Sequence, residues 1–172
     1  MAERKLRGDQ VRRLYDQYGP ALLAYACSFL ADVATGEDVV HQVFLRLLEG
    51  DTVVPDVPMA YLYRAVRNAA LNARRNVRRE VAEEFERDAG RGLFESRNGS
   101  REAALALQAA LLELPEEQRE VVVLRVWSGM TLEEAASLIG VSLNTAASRY
   151  RYALDKLRER LKPYQREGLP EP

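Results

Sequence analysis

Residues 61 to 79 carry six arginines (Arg64, Arg67, Arg74, Arg75, Arg78 and Arg79) and no acid. At helical spacing these arginines lie with Tyr61, Asn68 and Asn72 opposite an apolar sector of Met59, Leu62, Tyr63, Val66, Ala69, Ala70, Ala73 and Val77. Guanidiniums so crowded repel one another, and no carboxylate at i+4 offsets them, so a polyanion is expected on that side. Tyr61, Arg64, Asn68, Asn72 and Arg75 fall near its centre. Cations, amides and an aromatic together can hold phosphates, hydrogen-bond base edges and stack on an unpaired base. The competing explanation is a solvated basic face neutralised by nearby acids.

A second basic stretch runs from 142 to 162, where Arg149, Arg151, Lys156, Arg158, Arg160 and Lys162 outweigh Asp155 and Glu159. Thr131-Leu132-Glu133-Glu134 has the capping-box pattern that starts a helix, Gly140 suits a left-handed helix end, and Ser142 can cap the next helix. Two helices so joined, with small Ala136 and Ala146 at their crossing, describe a helix-turn-helix. Its second helix turns Asn144, Thr145, Ser148, Arg149 and Tyr152 outward, near the N-terminal end that such a helix presents to base edges.

The elements that must position these faces read as helices throughout. Leu14, Tyr18, Leu22, Tyr25 and Phe29 follow a 3.6-residue period, with an interruption expected at Gly19-Pro20. Val40, Val43, Phe44 and Leu47 mark a second helix, residues 50 to 58 a loop, and residues 59 to 79 the long basic helix. Residues 86 to 101 lack a sustained period and are rich in glycine, as a linker is. Beyond it come an Ala/Leu helix at 103 to 113, a helix opened by Pro115-Glu116-Glu117 and closed near Gly129, and two more helices ending at Lys162. Val121 to Trp127 is β-branched enough for a strand, but its bracketing by Pro and acids before and Gly after favours helix. The expected fold is all-α: two small helical domains, 1 to 80 and 103 to 163, joined by a flexible acidic linker at 81 to 102 and followed by a tail at 164 to 172.

Composition bounds the function. The 172 residues hold 25 Lys and Arg against 26 Asp and Glu, a formal net charge of -1, which taken whole argues against a nucleic-acid binder. Counted by segment, the two basic helices are separated by residues 80 to 141, where thirteen acids face six arginines. One cysteine, Cys27, excludes a disulfide framework and reads as a small core residue; a reducing cytoplasm is the expected setting. One histidine, His41, leaves no pair for a metal site, and neither a phosphate-binding G-x-x-x-x-G-K-[ST] loop nor a G-x-S-x-G elbow occurs. No enzyme activity and no cofactor are expected. The apolar run Ala21 to Ala31 is too short to span a membrane, and no signal-peptide stretch follows the charged start.

Three blocks stand in order: GEDVVHQVFLRL (36 to 47), PMAYLYRAVRNAALNARR (58 to 75) and LPEEQREVVVLRVWSGMTLEEAASLIGVSLNTAASRYRYALDKLRERL (114 to 161). Together they resemble a bacterial extracytoplasmic-function sigma factor of the sigma-70 family. The resemblance implies that Asp38, His41 and Gln42 dock on core RNA polymerase. It also implies that Tyr61, Arg64, Arg67, Asn68, Asn72 and Arg75 open and read the -10 promoter element. Asn144, Thr145, Ser148, Arg149 and Tyr152 would read the -35 element, and the partners would be core polymerase, promoter DNA and an anti-sigma factor. The linker acids would mimic nucleic acid in the polymerase channel. Four positions depart from the family's habit: His41 for Gln, Tyr61 for Trp, Asn72 for Asp, and Ala147 for a phosphate-binding Lys. A stand-alone helix-turn-helix regulator is the other reading; it requires tight DNA binding without polymerase.

Overall fold

Every regular element among the described residues is helical, as the 3.6-residue periods require. The structure, a computed structural model, describes residues 7–30, 32–49, 58–80 and 101–165. The chain divides into two units, Met1–Gly90 and Arg91–Pro172.

The first unit is three helices, α1 (Gly8–Cys27), α2 (Val33–Leu48) and α3 (Pro58–Glu80), each packed on the other two. Asp32 starts α2, its carboxylate accepting from the Thr35 amide at 2.8 Å and the Thr35 hydroxyl at 2.6 Å. Their apolar stripes meet in a core of Leu22, Tyr25, Val40, Val43, Phe44, Leu47, Leu62, Tyr63, Val66 and Ala70, all buried. Full burial of such a side chain stabilises by about 1.5 to 3 kcal/mol. The Tyr25 ring anchors this core, lying 5.2 Å from both the Phe29 and the Tyr63 ring centroids.

Helix α1 corrects one expectation, because it passes through Pro20 without interruption. Proline removes a backbone donor and crowds the carbonyl one turn back, a cost of about 3 kcal/mol. Pro20 itself is exposed, whereas Val11 and Gly19 before it and Leu22, Ala24 and Tyr25 after it are buried. Burial on both sides of the proline exceeds that cost, so packing keeps the helix whole.

Helices α1 and α2 meet closely where Gly36 faces Cys27. A Cβ at Gly36 would collide with Cys27 Sγ and press Leu23 Cδ1 at 3.3 Å. Cys27 is 1% exposed, as its apolar neighbours lead one to expect. Burial, with Asp32 and Glu37 nearby, raises its thiol from 9.0 to about 12.

The second unit has α4 (Arg101–Leu112), α5 (Glu116–Val126), α6 (Leu132–Ile139) and α7 (Leu143–Leu161), ending in a 3-10 turn at Lys162–Gln165. Helix α4 begins two residues inside the segment assigned to the linker, and the 3-10 turn takes up the first residues of the expected tail. The remainder of both segments, 81–100 and 166–172, lies outside the described residues. Val121 to Leu124 are all buried within α5, which packs on α6 and α7; tertiary burial rather than β-propensity settles this run as helix. Gly129 leaves α5 at φ +67, letting the Met130 amide donate to the Leu124 carbonyl at 3.2 Å. Helices α4, α5 and α6 all contact α7.

Two outcomes follow from the Gly36 contact. Gly36→Ala should lower stability in urea denaturation by about 1 to 3 kcal/mol through overpacking. Cys27→Ala in that background should return part of the loss, since the two residues share one space. Additive losses would show that the contact is not the cause. Native protein should also resist a thiol reagent at neutral pH and react on unfolding. Since folding raises the Cys27 pKa, its contribution is intact below pH 9.0 and is lost as pH climbs toward about 12.

Candidate nucleic-acid interfaces

In the first unit, α2 and α3 form the two walls of a groove of about 560 Å³. The α3 wall is a single stripe of Tyr61, Ala65, Asn68, Asn72 and Asn76, at the i, i+4, i+7 spacing of one helix side. The α2 wall is Thr35, Asp38, Gln42 and Arg46 with Val39 and Val43. Ala69 and Ala73 of α3 add to the apolar part of the lining. The groove thus gathers hydrogen-bond donors and acceptors around one aromatic face, the chemistry that suits an unstacked base.

The sequence-predicted residues divide accordingly. Tyr61, Asn68 and Asn72 line the groove, and Asp38 and Gln42 stand across it from them. Arg64 and Arg75 are exposed but outside the lining, on the outer side of α3. Arg67 is half-buried and, with Arg74, engages other groups of the protein. The side chains of Arg78 and Arg79 lie outside the described residues. Asn76 and Arg46 were missed by sequence reasoning. Asn76 continues the Asn68, Asn72 series by four residues, a signal legible in hindsight, whereas Arg46 joins the site only because α2 packs beside α3.

His41 does not join Asp38 and Gln42. It points to α1, where its Nε2 lies 3.1 Å from the Tyr15 hydroxyl and the two rings stack at 6.0 Å and 24°. Tyr15 in turn meets Phe44 edge-on at 5.1 Å. Helix α2 therefore serves two separate surfaces.

In the second unit the helix-turn-helix is built from local contacts. Thr131 Oγ1 accepts from the Glu134 amide at 3.1 Å while Glu134 Oε2 accepts from the Thr131 amide at 2.8 Å. Gly140 ends α6 at φ +74, and its amide donates to the Ala136 carbonyl at 2.9 Å. Two residues on, Ser142 Oγ accepts from the Thr145 amide at 3.1 Å and starts α7. Ala136 and Ala146, both buried, let the two helices approach.

The outward face of α7 differs slightly from expectation. Asn144 and Tyr152 are exposed, Tyr152 by 52%. Thr145 is exposed, but its hydroxyl is 2.8 Å from Ser142 Oγ, so it serves the cap as well. Ser148 and Arg149 are half-buried. Arg151, passed over in the sequence, is exposed with its guanidinium 5.1 Å from the Tyr152 ring centroid. Its position seven residues after Asn144, two helical turns, was the available signal.

Comparison with known proteins matches two family models to this chain. Residues 14–80 match the family described as Sigma-70 region 2, and residues 104–157 the family described as Sigma-70, region 4. The ECF RNA polymerase sigma factor EcfG of Rhodopseudomonas palustris is 34% identical over 143 residues, covering 80% of this chain and 77% of that protein. The ECF RNA polymerase sigma factor SigL of Mycobacterium tuberculosis is 28% identical over 153 residues, 86% of each chain. Among solved structures, the sigma factor RpoE in complex with the anti-sigma factor NepR from Bartonella quintana superposes with a TM-score of 0.71 at 26% identity, covering 88% of this chain and 96% of that one. CnrH in complex with the cytosolic domain of CnrY gives 0.64 at 27% identity, with 90% and 89% covered. With both sigma-70 regions present in order, a polar groove on the first and a capped helix-turn-helix in the second, this chain belongs to the ECF class of RNA polymerase sigma factors.

Proposed function

We propose that the chain binds core RNA polymerase, directs it to promoters bearing -10 and -35 elements, and promotes strand opening by trapping unpaired bases. The observation that carries this reading is the α2–α3 groove, where Tyr61, Asn68 and Asn72 meet polar residues of α2. Residues 1 to 80 dock on polymerase and read the -10 element with Tyr61, Arg64, Arg67, Asn68, Asn72 and Arg75. Residues 103 to 163 read the -35 element with Asn144, Thr145, Ser148, Arg149 and Tyr152, to which Arg151 is added. Neither contact has to be strong alone, because attachment to one polymerase makes the second binding event intramolecular. That is how a chain of net charge -1 can read DNA.

Polymerase docking falls to α2 through Asp38, His41 and Gln42, and the protein works in the cytoplasm beside its polymerase as an initiation factor with no catalysis of its own. Among the described residues no helix is long and apolar enough to cross a membrane. Two similar structures are complexes with an anti-sigma factor or with the cytosolic domain of a second protein. A partner of that kind is proposed here too. The stand-alone regulator is less favoured, because residues 14–80, where it would need a ligand or dimerisation domain, match sigma region 2.

The test is transcription by core polymerase, with and without this protein, on a library of promoters. Stimulation on a subset sharing two spaced elements is expected; no stimulation together with no co-purification of core would sink the reading. Tyr61→Ala should slow promoter opening, followed by permanganate reactivity of thymines, without weakening association with core. Arg149→Ala and Arg151→Ala should each be compared on promoters altered in the -35 element. A base contact costs about 1 to 3 kcal/mol and relaxes preference at one position, whereas a phosphate contact weakens all sequences alike. Unchanged binding by both variants would remove them from the interface.

A further inference from the structure

Helix α2 shows solvent two unlike sides. On one, His41, Leu45 and Leu48 border an apolar groove against Tyr15 and Val11 of α1. On the other, Asp38, Gln42 and Arg46 face Tyr61, Asn68 and Asn72 of α3 across the polar groove. The second side carries Asp38 and Gln42, proposed above to dock on polymerase, and opens on the α3 residues proposed to meet DNA.

Among the described residues lining that groove, Arg46 is the one cation. It is exposed, sits in the last turn of α2, and no carboxylate among the described residues forms an ion pair with it. A cation at a helix C-terminus is favourable for the helix alone, but that accounts for its presence in the turn and not for its place in the groove wall. The opposite wall offers only a phenol and neutral amides, which can meet a base but do not neutralise a phosphate. Arg64 and Arg75 lie outside, on the far lip of α3. Asp38, two helical turns before Arg46 and about 12 Å along the axis, is an anion and repels a phosphate. The α2 wall is therefore polarised, with phosphate favoured at the Arg46 end only.

We infer that Arg46 is a DNA-positioning residue: it holds a backbone phosphate of an unpaired promoter nucleotide whose base enters the α2–α3 groove. The inference rests on the proposed sigma function and extends it by giving α2, otherwise assigned to polymerase, a part in strand capture.

The test uses the full chain assembled with core polymerase and a labelled non-template strand of a promoter recovered from the library. Arg46→Ala should weaken capture of that strand about tenfold, as loss of a charge-assisted contact does, while affinity for core is unchanged. The slope of log affinity against log salt should fall by about 0.7, one phosphate's share for a single strand. Arg46→Lys should restore most of the slope. A role confined to helix stability would shift the melting temperature and leave the slope intact, which would overturn the inference. So would an equal loss of core affinity, which would assign Arg46 to polymerase. If the wild-type protein selects no promoter, the sigma reading fails and this inference with it; if the wild type captures the strand and Arg46→Ala matches it, only the inference fails.

Discussion

The first unit depends on how closely α2 can approach α1. Gly36 has no side chain, and the space it leaves is occupied by the Cys27 thiol. This close contact seats α2 where its apolar residues Val40, Val43, Phe44 and Leu47 can be buried. Once seated, α2 has a fixed rotation about its own axis, and that rotation decides which residues face α1 and which face α3. The apolar rim with His41, the polar groove with Asp38 and the pairing of Tyr61 with an α2 wall all follow from it. Cys27 contributes as volume rather than as chemistry, since burial keeps its thiol protonated.

The second unit is governed by shorter-range forces. A capping box, a left-handed glycine and a serine cap define α6, the turn and the start of α7 within a dozen positions, each by bonds to backbone groups that would otherwise go unpaired. The turn angle then needs only small side chains at the crossing, supplied by Ala136 and Ala146. Contact with α4, α5 and α6 holds α7 as the spine, and Asn144, Arg151 and Tyr152 stay exposed on it.

Each unit carries its own basic helix, α3 in the first and α7 in the second. The affinity of a basic face for duplex DNA falls steeply with salt for every phosphate contact it makes. A nearly neutral chain restrains indiscriminate binding, and a common scaffold supplies the effective concentration that specific binding needs.

The amino-acid sequence alone determined the elements and their chemistry. Helical periodicity, the Thr131 capping box, Gly140, Ser142 and the acid-free arginine run are local signals, and local bonds realise them. Nonlocal packing decided what periodicity did not: Pro20 remains inside α1 because burial on both sides exceeds its cost, and His41 turns toward Tyr15 of α1 while Asp38 and Gln42 face α3. Arg46 was invisible as a site residue for the same reason, since its groove partners lie on another helix. A periodic pattern states which face of a helix is buried. Only the tertiary structure decides which neighbour buries it, and so which exposed residues become one site.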